Sequence, residues 1–220
     1  MRALLFVLAS SLLASSAFAA DGEVGTMGAG DPFEVGLVAG PWTQQGSPDP
    51  KAPLSAASAT LLGVRVRGAA YTHQTILGNG GGVEGILSAG YAVPGVPGVS
   101  EGFAWAQLDA LANVGLFNRG LGRFAVRLHA LVGLGASLFS GLSLIGGGRL
   151  ALAITEIFSL EGNYMVLPST SLTFSHRVTG ALKIEPIQLA LGADLNFGSN
   201  GVGEQHFSVI GTATWRPKFD

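Results

Sequence analysis

Three residues on neighbouring segments have the types of a hydrolytic unit: Ser88, Asp109 and His129. A histidine held by a carboxylate can take a proton from a hydroxyl, the step that activates a serine nucleophile. If the segments lie side by side, however, the order across the sheet is Ser–Asp–His, and the base must sit between the other two. The spacing argues against a serine hydrolase. His176 beside Phe174 is a second candidate base, but no serine or acid stands at a matching spacing, so an interfacial histidine is the simpler reading. His73 and His206 read as loop or rim residues. No His/Asp/Glu cluster has metal-ligand spacing, and a chain without cysteine has no disulfide or thiolate site. Gly80-Gly81-Gly82-Val83-Glu84-Gly85 matches G-x-G-x-x-G, yet 34 glycines make a chance match expected, and no helix-period segment or ribose-binding acid follows it. It reads as a glycine-rich turn and strand start. No catalytic residue, cofactor or metal is expected.

The remaining ionisable residues are ordered by a two-residue alternation. In Ile187-Gln188-Leu189-Ala190-Leu191-Gly192-Ala193-Asp194-Leu195-Asn196-Phe197 odd positions are apolar and even ones polar or small. Successive strand side chains point to opposite faces, so such a segment has one greasy face and one small, polar face. Within single segments charges share a phase: Arg65 with Arg67; Gln107, Asp109 and Asn113; Arg123, Arg127 and His129; Glu161 and Asn163; Arg177, Thr179 and Lys183. His176 is the one ionisable residue on the opposite phase. An Arg or Lys facing lipid at mid-depth costs ~2–4 kcal/mol, which accounts for the exclusion. The polar face carries only one or two charges per strand, as suits a sheet with lipid outside and a narrow lumen inside.

Ten strands are expected near 33–43, 59–73, 81–93, 103–117, 122–138, 142–154, 157–167, 171–184, 187–197 and 205–216. Turn chemistry separates several of them: Asn118-Arg119-Gly120, Pro168-Ser169-Thr170, Glu185-Pro186 and Gly198-Ser199-Asn200-Gly201. The most polar connection, 44–50, is the longest. Residues 130–148 carry no charge and pass for a spanning helix, but six glycines and Ser140-Gly141 favour a hairpin. The fold expected is a closed all-β antiparallel up-and-down transmembrane barrel of ten strands, with eight as the alternative. Aromatic residues gather at strand ends, as interfacial girdles do. Phe33, Tyr71, Phe117, Phe124, Phe158 and Trp215 fall at one end; Trp42, Tyr91, Phe103, Trp105, Phe139, Tyr164, Phe174, Phe197 and Phe207 fall at the other.

Residues 1–20 read as a cleaved signal peptide: Arg2, the apolar run Leu4 to Leu13, and Ala17-Phe18-Ala19 as an A-x-A site. That apolar run is shorter than the ~20 residues of a spanning helix. Residues 21–32 would be a periplasmic lead-in and 33–220 the outer-membrane barrel. Charged residues make up 12% of the chain, against ~25% in typical soluble domains, and mean hydropathy is +0.45. A net charge of −2 with no basic patch excludes a nucleic-acid partner. The partners expected are outer-membrane lipid and, during insertion, the barrel-assembly machinery.

Hairpin geometry predicts lumen neighbours. The turn near 169 sets Glu161 opposite Arg177, the turn at Glu185-Pro186 sets Arg177 opposite Asp194, and Arg149 lies diagonal to Glu161. Arg149, Glu161, Arg177 and Asp194 would then form a row of alternating sign. Arg67 should meet Glu84, and Asp109 should meet His129 or Arg127. With Arg65 these residues form a candidate network, either a structural plug of ion pairs or a charged constriction that selects solutes. Lys183 is placed at the wet rim.

The stretch from Gly146 to Glu161, with Gly146-Gly147-Gly148, Thr155-Glu156-Ile157-Phe158 and the alternation that follows, resembles the small outer-membrane β-barrel proteins of the OmpA-like and opacity-like kind. The pattern covers about 33–216 as a class signature. It departs from that group at the end, where Arg216-Pro217-Lys218-Phe219-Asp220 follow Trp215. The function expected is a structural or narrow-pore membrane protein and not an enzyme; the alternatives are a passive diffusion channel for small solutes and a lipid-modifying outer-membrane enzyme.

Overall fold

Alternation of this kind needs a partner edge on both sides of every strand, and a closed sheet supplies one. The computed structural model describes residues 33–46, 55–72, 80–94, 102–121, 124–137, 141–154, 158–168, 174–199 and 205–217. Ten strands make it up: β1 Phe33–Gly46, β2 Ser55–Thr72, β3 Gly81–Pro94, β4 Phe103–Leu121, β5 Phe124–Ser137, β6 Gly141–Ala153, β7 Phe158–Pro168, β8 Phe174–Ile184, β9 Leu189–Ser199 and β10 Gln205–Trp215. Each pairs antiparallel with its sequence neighbour, and β1 pairs with β10 from Val35↔Trp215 to Gln45↔Gln205, closing a ten-stranded barrel. The eight-stranded alternative is set aside. Residues read as signal peptide and lead-in, 1–32, lie outside the described residues.

Inward glycines let this sheet curl. A Cβ at Gly40 would strike the Val209 carbonyl oxygen of β10, and one at Gly147 the Tyr164 carbonyl oxygen of β7. Both sit on the lumen phase, where tight curvature brings neighbouring backbones into the space of a side chain. Gly133 and Gly147 are thus barrel corners; the 130–148 stretch lies in the β5–β6 hairpin, and no helix of the described residues is long and apolar enough to cross a membrane.

Two expected turns fall differently. Asn118-Arg119-Gly120 belongs to β4, which runs on to Leu121. The register shifts between Gly115 and Phe117, so Leu116 is an extra residue, and beyond it Asn118 faces Arg127. A bulge adds one residue and re-aims those that follow, which one-residue parity cannot anticipate. After β8 a short 3-10 turn, Glu185–Ile187, leads to Gln188 at φ 53, so β9 starts at Leu189, two residues late. Glycine-rich Gly80–Gly85 enters β3, with Gly80 at φ 76.

Large apolar side chains cover the outside, among them Leu37, Val64, Val83, Val132, Leu134, Leu142 and Leu144, all more than half exposed. Phe117, Phe124, Phe158 and Trp215 at the termini end, and Tyr91, Tyr164, Phe197 and Phe207 towards the far end, are exposed with them. Trp42 and Trp105 correct the girdle assignment, while Phe103 is exposed at its strand end. Trp42 and Trp105 are buried inside with Val38, Ala59, Leu61, Ala92 and Ile210, and Phe103 meets Trp42 edge-on at 5.7 Å. Their parity, that of Val38 on β1 for Trp42 and of Asp109 on β4 for Trp105, outranks their place near a strand end. Phe139 and the side chains of Tyr71 and Phe174 lie outside the described residues. A second apolar cluster, Leu111, Leu131, Ile145, Met165 and Leu167, fills part of the other wall.

Candidate functional site

Nine of the ten strands direct charged side chains into one narrow space, where the ion pairs fall into two groups. Arg67 on β2 lies two residues from the partner of Glu84, because Gly68 faces Gly85 and Ala69 faces Glu84. It donates from Nε to Glu84 Oε2 at 2.9 Å and from Nη1 to Glu34 Oε1 at 3.0 Å. Arg149 crosses the lumen to the other Glu84 oxygen and lies 3.4 Å from Glu161. Lys183 Nζ reaches Glu161 Oε2 at 3.0 Å, and Thr214 supports Glu34 at 3.5 Å. Three cations face three carboxylates, and the Glu84 side chain has no solvent exposure.

Nearby, Arg177 Nη1 pairs with Asp109 Oδ2 at 2.5 Å across the lumen, and Arg65 pairs with Asp194 across it from β2 to β9. Neutral side chains tie these pairs down: Arg65 Nε to Ser88 at 2.9 Å, Gln107 to Asp109 at 2.9 Å, Arg177 Nε to Asn196 at 2.8 Å, Asn196 to Ser208 at 3.1 Å. Arg149 donates to Asn163 at 2.6 Å, and Asn163 donates to Thr179 at 2.6 Å. Between them the ion pairs join five cations (Arg65, Arg67, Arg149, Arg177, Lys183) to five carboxylates (Glu34, Glu84, Asp109, Glu161, Asp194), so the set is neutral. Burying so many charges is tolerable only because each is paired and hydrogen-bonded.

Some expected neighbours meet and some do not. Arg67 meets Glu84, and Arg149 lies diagonal to Glu161, through Arg149↔Asn163 and Ala151↔Glu161. The row Arg149–Glu161–Arg177–Asp194 does not form as drawn. Glu161 faces Ala181, Arg177 faces Met165 on one side and Asn196 on the other, and Thr179 faces Asp194. Asp109 does not meet His129 or Arg127: it faces Gly135, while His129 faces Gly115, because the β4–β5 turn lies beyond Leu121. Ser88, Asp109 and His129 therefore form no hydrolytic unit, and the Ser88 hydroxyl serves Arg65. Lys183 is buried, not at a wet rim. Glu34 was missed; its even position on β1 shares the phase of the inward Val38 and would have revealed it.

Outside, His176 Nδ1 and the Tyr164 hydroxyl are 2.9 Å apart, and the imidazole stacks on Phe197 with ring centres 5.2 Å apart. Inside, the charged set borders a cavity of about 80 Å³, lined among others by Glu34, Arg65, Asp109, Arg149, Arg177 and Asp194. Among the described residues no three His, Cys, Asp or Glu side chains are grouped to hold a metal ion.

No family model and no curated protein matches the chain. Among solved structures it is similar to the transport unit of the autotransporter AIDA-I from Escherichia coli, at 11% identity and a TM-score of 0.40, covering 96% of this chain and 97% of that one. It is also similar to Ail, the attachment invasion locus protein of Yersinia pestis, at 11% identity and a TM-score of 0.33, covering 83% of this chain and 97% of that one.

Proposed function

We propose that the protein is an integral β-barrel of a bacterial outer membrane whose lumen is closed by its own ion pairs, a structural wall element without catalytic activity. The observation that carries this reading is the inversion of polarity. Leu37 is 68% exposed and Leu144 62%, while Asp109 is 1% exposed and Glu84 4%. A barrel in water would turn charge outward and hydrocarbon inward; lipid outside reverses both requirements. Closure leaves no unpaired strand edge for the bilayer to solvate. Export would use residues 1–20, and insertion the barrel-assembly machinery.

The size of the cavity, about 80 Å³, favours a plug over a passive diffusion channel: it accommodates a few waters but no solute as large as a sugar. For a lipid-modifying enzyme the candidate base is the outward His176, and its described contacts are Tyr164 and Phe197 rather than a serine or acid. The reading is tested by mobility on a denaturing gel before and after boiling, together with conductance in planar bilayers. A heat-dependent mobility shift with no steady channel is expected. Steady ohmic channels would favour the diffusion pore, and an altered lipid A profile that depends on the protein would favour the enzyme.

A further inference from the structure

One hairpin of the lumen wall has polar groups that the ion-pair plug does not use. Arg127, His129 and Asn113 lie on the inward face of β4 and β5, towards the end where the chain termini emerge. Asn113 is 2% exposed and His129 8%, yet both amide atoms of Asn113 and Nδ1 of His129 have no hydrogen-bond partner. Arg127 is half-buried and has no carboxylate within 4.0 Å among the described residues; its Nε donates to Asn118 Oδ1 at 3.2 Å. It is thus a cation beyond the balanced set of five cations and five carboxylates.

The local fold leaves a glycine on one side of each buried group. His129 faces Gly115 on β4 and Arg149 on β6, and Asn113 faces Gly82 on β3 and Leu131 on β5. The extra residue Leu116 brings Asn118 opposite Arg127, where its amide oxygen holds the guanidinium by one edge and leaves the Nη groups available. Arg127 and His129 are neighbouring inward positions on β5, ~7 Å apart and within the reach of an arginine side chain, and Asn113 is level with Leu131, the next inward position along. The hairpin therefore presents a charged donor, two further N–H donors on Asn113 and, in the appropriate tautomer, a third on His129. A buried donor without a partner weakens the fold until something accepts from it. A guanidinium flanked by neutral N–H groups suits a planar or tetrahedral oxygen anion.

We propose that this hairpin is a binding site for a small oxyanion, phosphate-like or carboxylate, at the termini-side mouth of the lumen. Arg127 supplies the charge, and Asn113 and His129 supply neutral hydrogen bonds; the Asn113 Oδ1 atom can accept from a protonated oxygen such as that of hydrogen phosphate. The site stands apart from the membrane reading, since it needs only the closed barrel.

The same chemistry could come from a free solute or from the acidic residues Asp21, Glu23 and Asp31 of the chain itself. The test titrates inorganic phosphate by calorimetry into the full mature chain, folded in uncharged maltoside micelles at low salt and neutral pH. Saturable 1:1 binding is expected, weakened at least tenfold by Arg127→Ala and by Asn113→Leu. Arg119→Ala, at an exposed outward position on the same strand, should leave it unchanged. The heat-dependent gel shift verifies that each variant is folded, and a variant lacking the three acidic charges should bind within twofold of the parent. Absence of saturable binding, or binding that survives both Arg127→Ala and Asn113→Leu, would overturn the proposal. Binding that emerges only after the three acids are neutralised would overturn it too, assigning the cradle to the chain's own carboxylates.

Discussion

Replacing Arg67 with alanine should destabilise the barrel more than any other single lumen change. Arg67 contacts Glu84 at 2.6 Å and Glu34 at 3.0 Å, and approaches Glu161 at 4.0 Å, and all four side chains are at most 10% exposed. Removing it leaves Arg149 and Lys183 against Glu34, Glu84 and Glu161, one uncompensated negative charge in a closed interior. Glu34 would keep only the Thr214 hydroxyl at 3.5 Å. Breaking a buried pair by deleting one partner costs ~3–5 kcal/mol. With a urea dependence of ~2–3 kcal/mol per molar, the unfolding midpoint in micelles should fall by about 1–2 M. Arg67→Lys keeps the charge but loses the two-nitrogen grip on Glu84, so it should fall in between. Glu84→Gln should cost less in the Arg67→Ala background than in the parent, since it then removes a surplus charge. A midpoint shift below ~0.3 M for Arg67→Ala, or strict additivity with Glu84→Gln, would refute the reasoning.

Lys183→Ala should lower the midpoint by less than Arg67→Ala, since Glu161 keeps Arg149 at 3.4 Å; equal losses in urea titrations would count against the partner assignment. Leu144→Arg, on the outward face of β6, should cost ~2–4 kcal/mol in lipid-vesicle unfolding, whereas a change within ~0.5 kcal/mol would place that face in water. Gly147→Val should impair folding yield, because its Cβ meets the Tyr164 carbonyl oxygen and the strand must move; normal yield and midpoint would dismiss the corner role. Gln188→Gly should raise the midpoint by an amount worth ~0.5–1 kcal/mol, relieving φ 53 in a residue with a Cβ, and a lowered midpoint would contradict this.

The faces of the strands were readable in the chain, but their registers were not. Side-chain direction alternates with period two, so Arg67, Glu84, Arg149, Glu161, Arg177 and Asp194 could be assigned to one side before any partner was known. A slip by an even number of residues keeps every side chain on its face and leaves the hydrophobic pattern intact. Glu161 faces Ala181, four residues from the expected Arg177, and Arg177 faces Asn196, two residues from the expected Asp194. Both errors are even, as this symmetry requires. Contacts across the lumen, Arg177 with Asp109 and Arg65 with Asp194, join strands four and three places apart around the wall, beyond the reach of hairpin reasoning. The bulge at Leu116 likewise left no parity signal, since Leu116 and Phe117 are both apolar and both exposed. Trp42 and Trp105 show the reverse case: position near a strand end suggested a girdle, while their phase already placed them inside.

The central claim is that lipid covers the outer face and ion pairs close the inner one, and β6 offers the most direct test. The chain has no cysteine, so single-cysteine variants along 142–152 take one nitroxide label each without background. In vesicles, collision rates with oxygen and with a water-soluble nickel complex are measured position by position. Labels at the outward positions 142, 144 and 150 should collide readily with oxygen and poorly with nickel. Labels at the inward positions 143, 145 and 151 should be shielded from both. Nickel access at the outward positions comparable to that of a soluble surface, or loss of the two-residue alternation, would contradict the account.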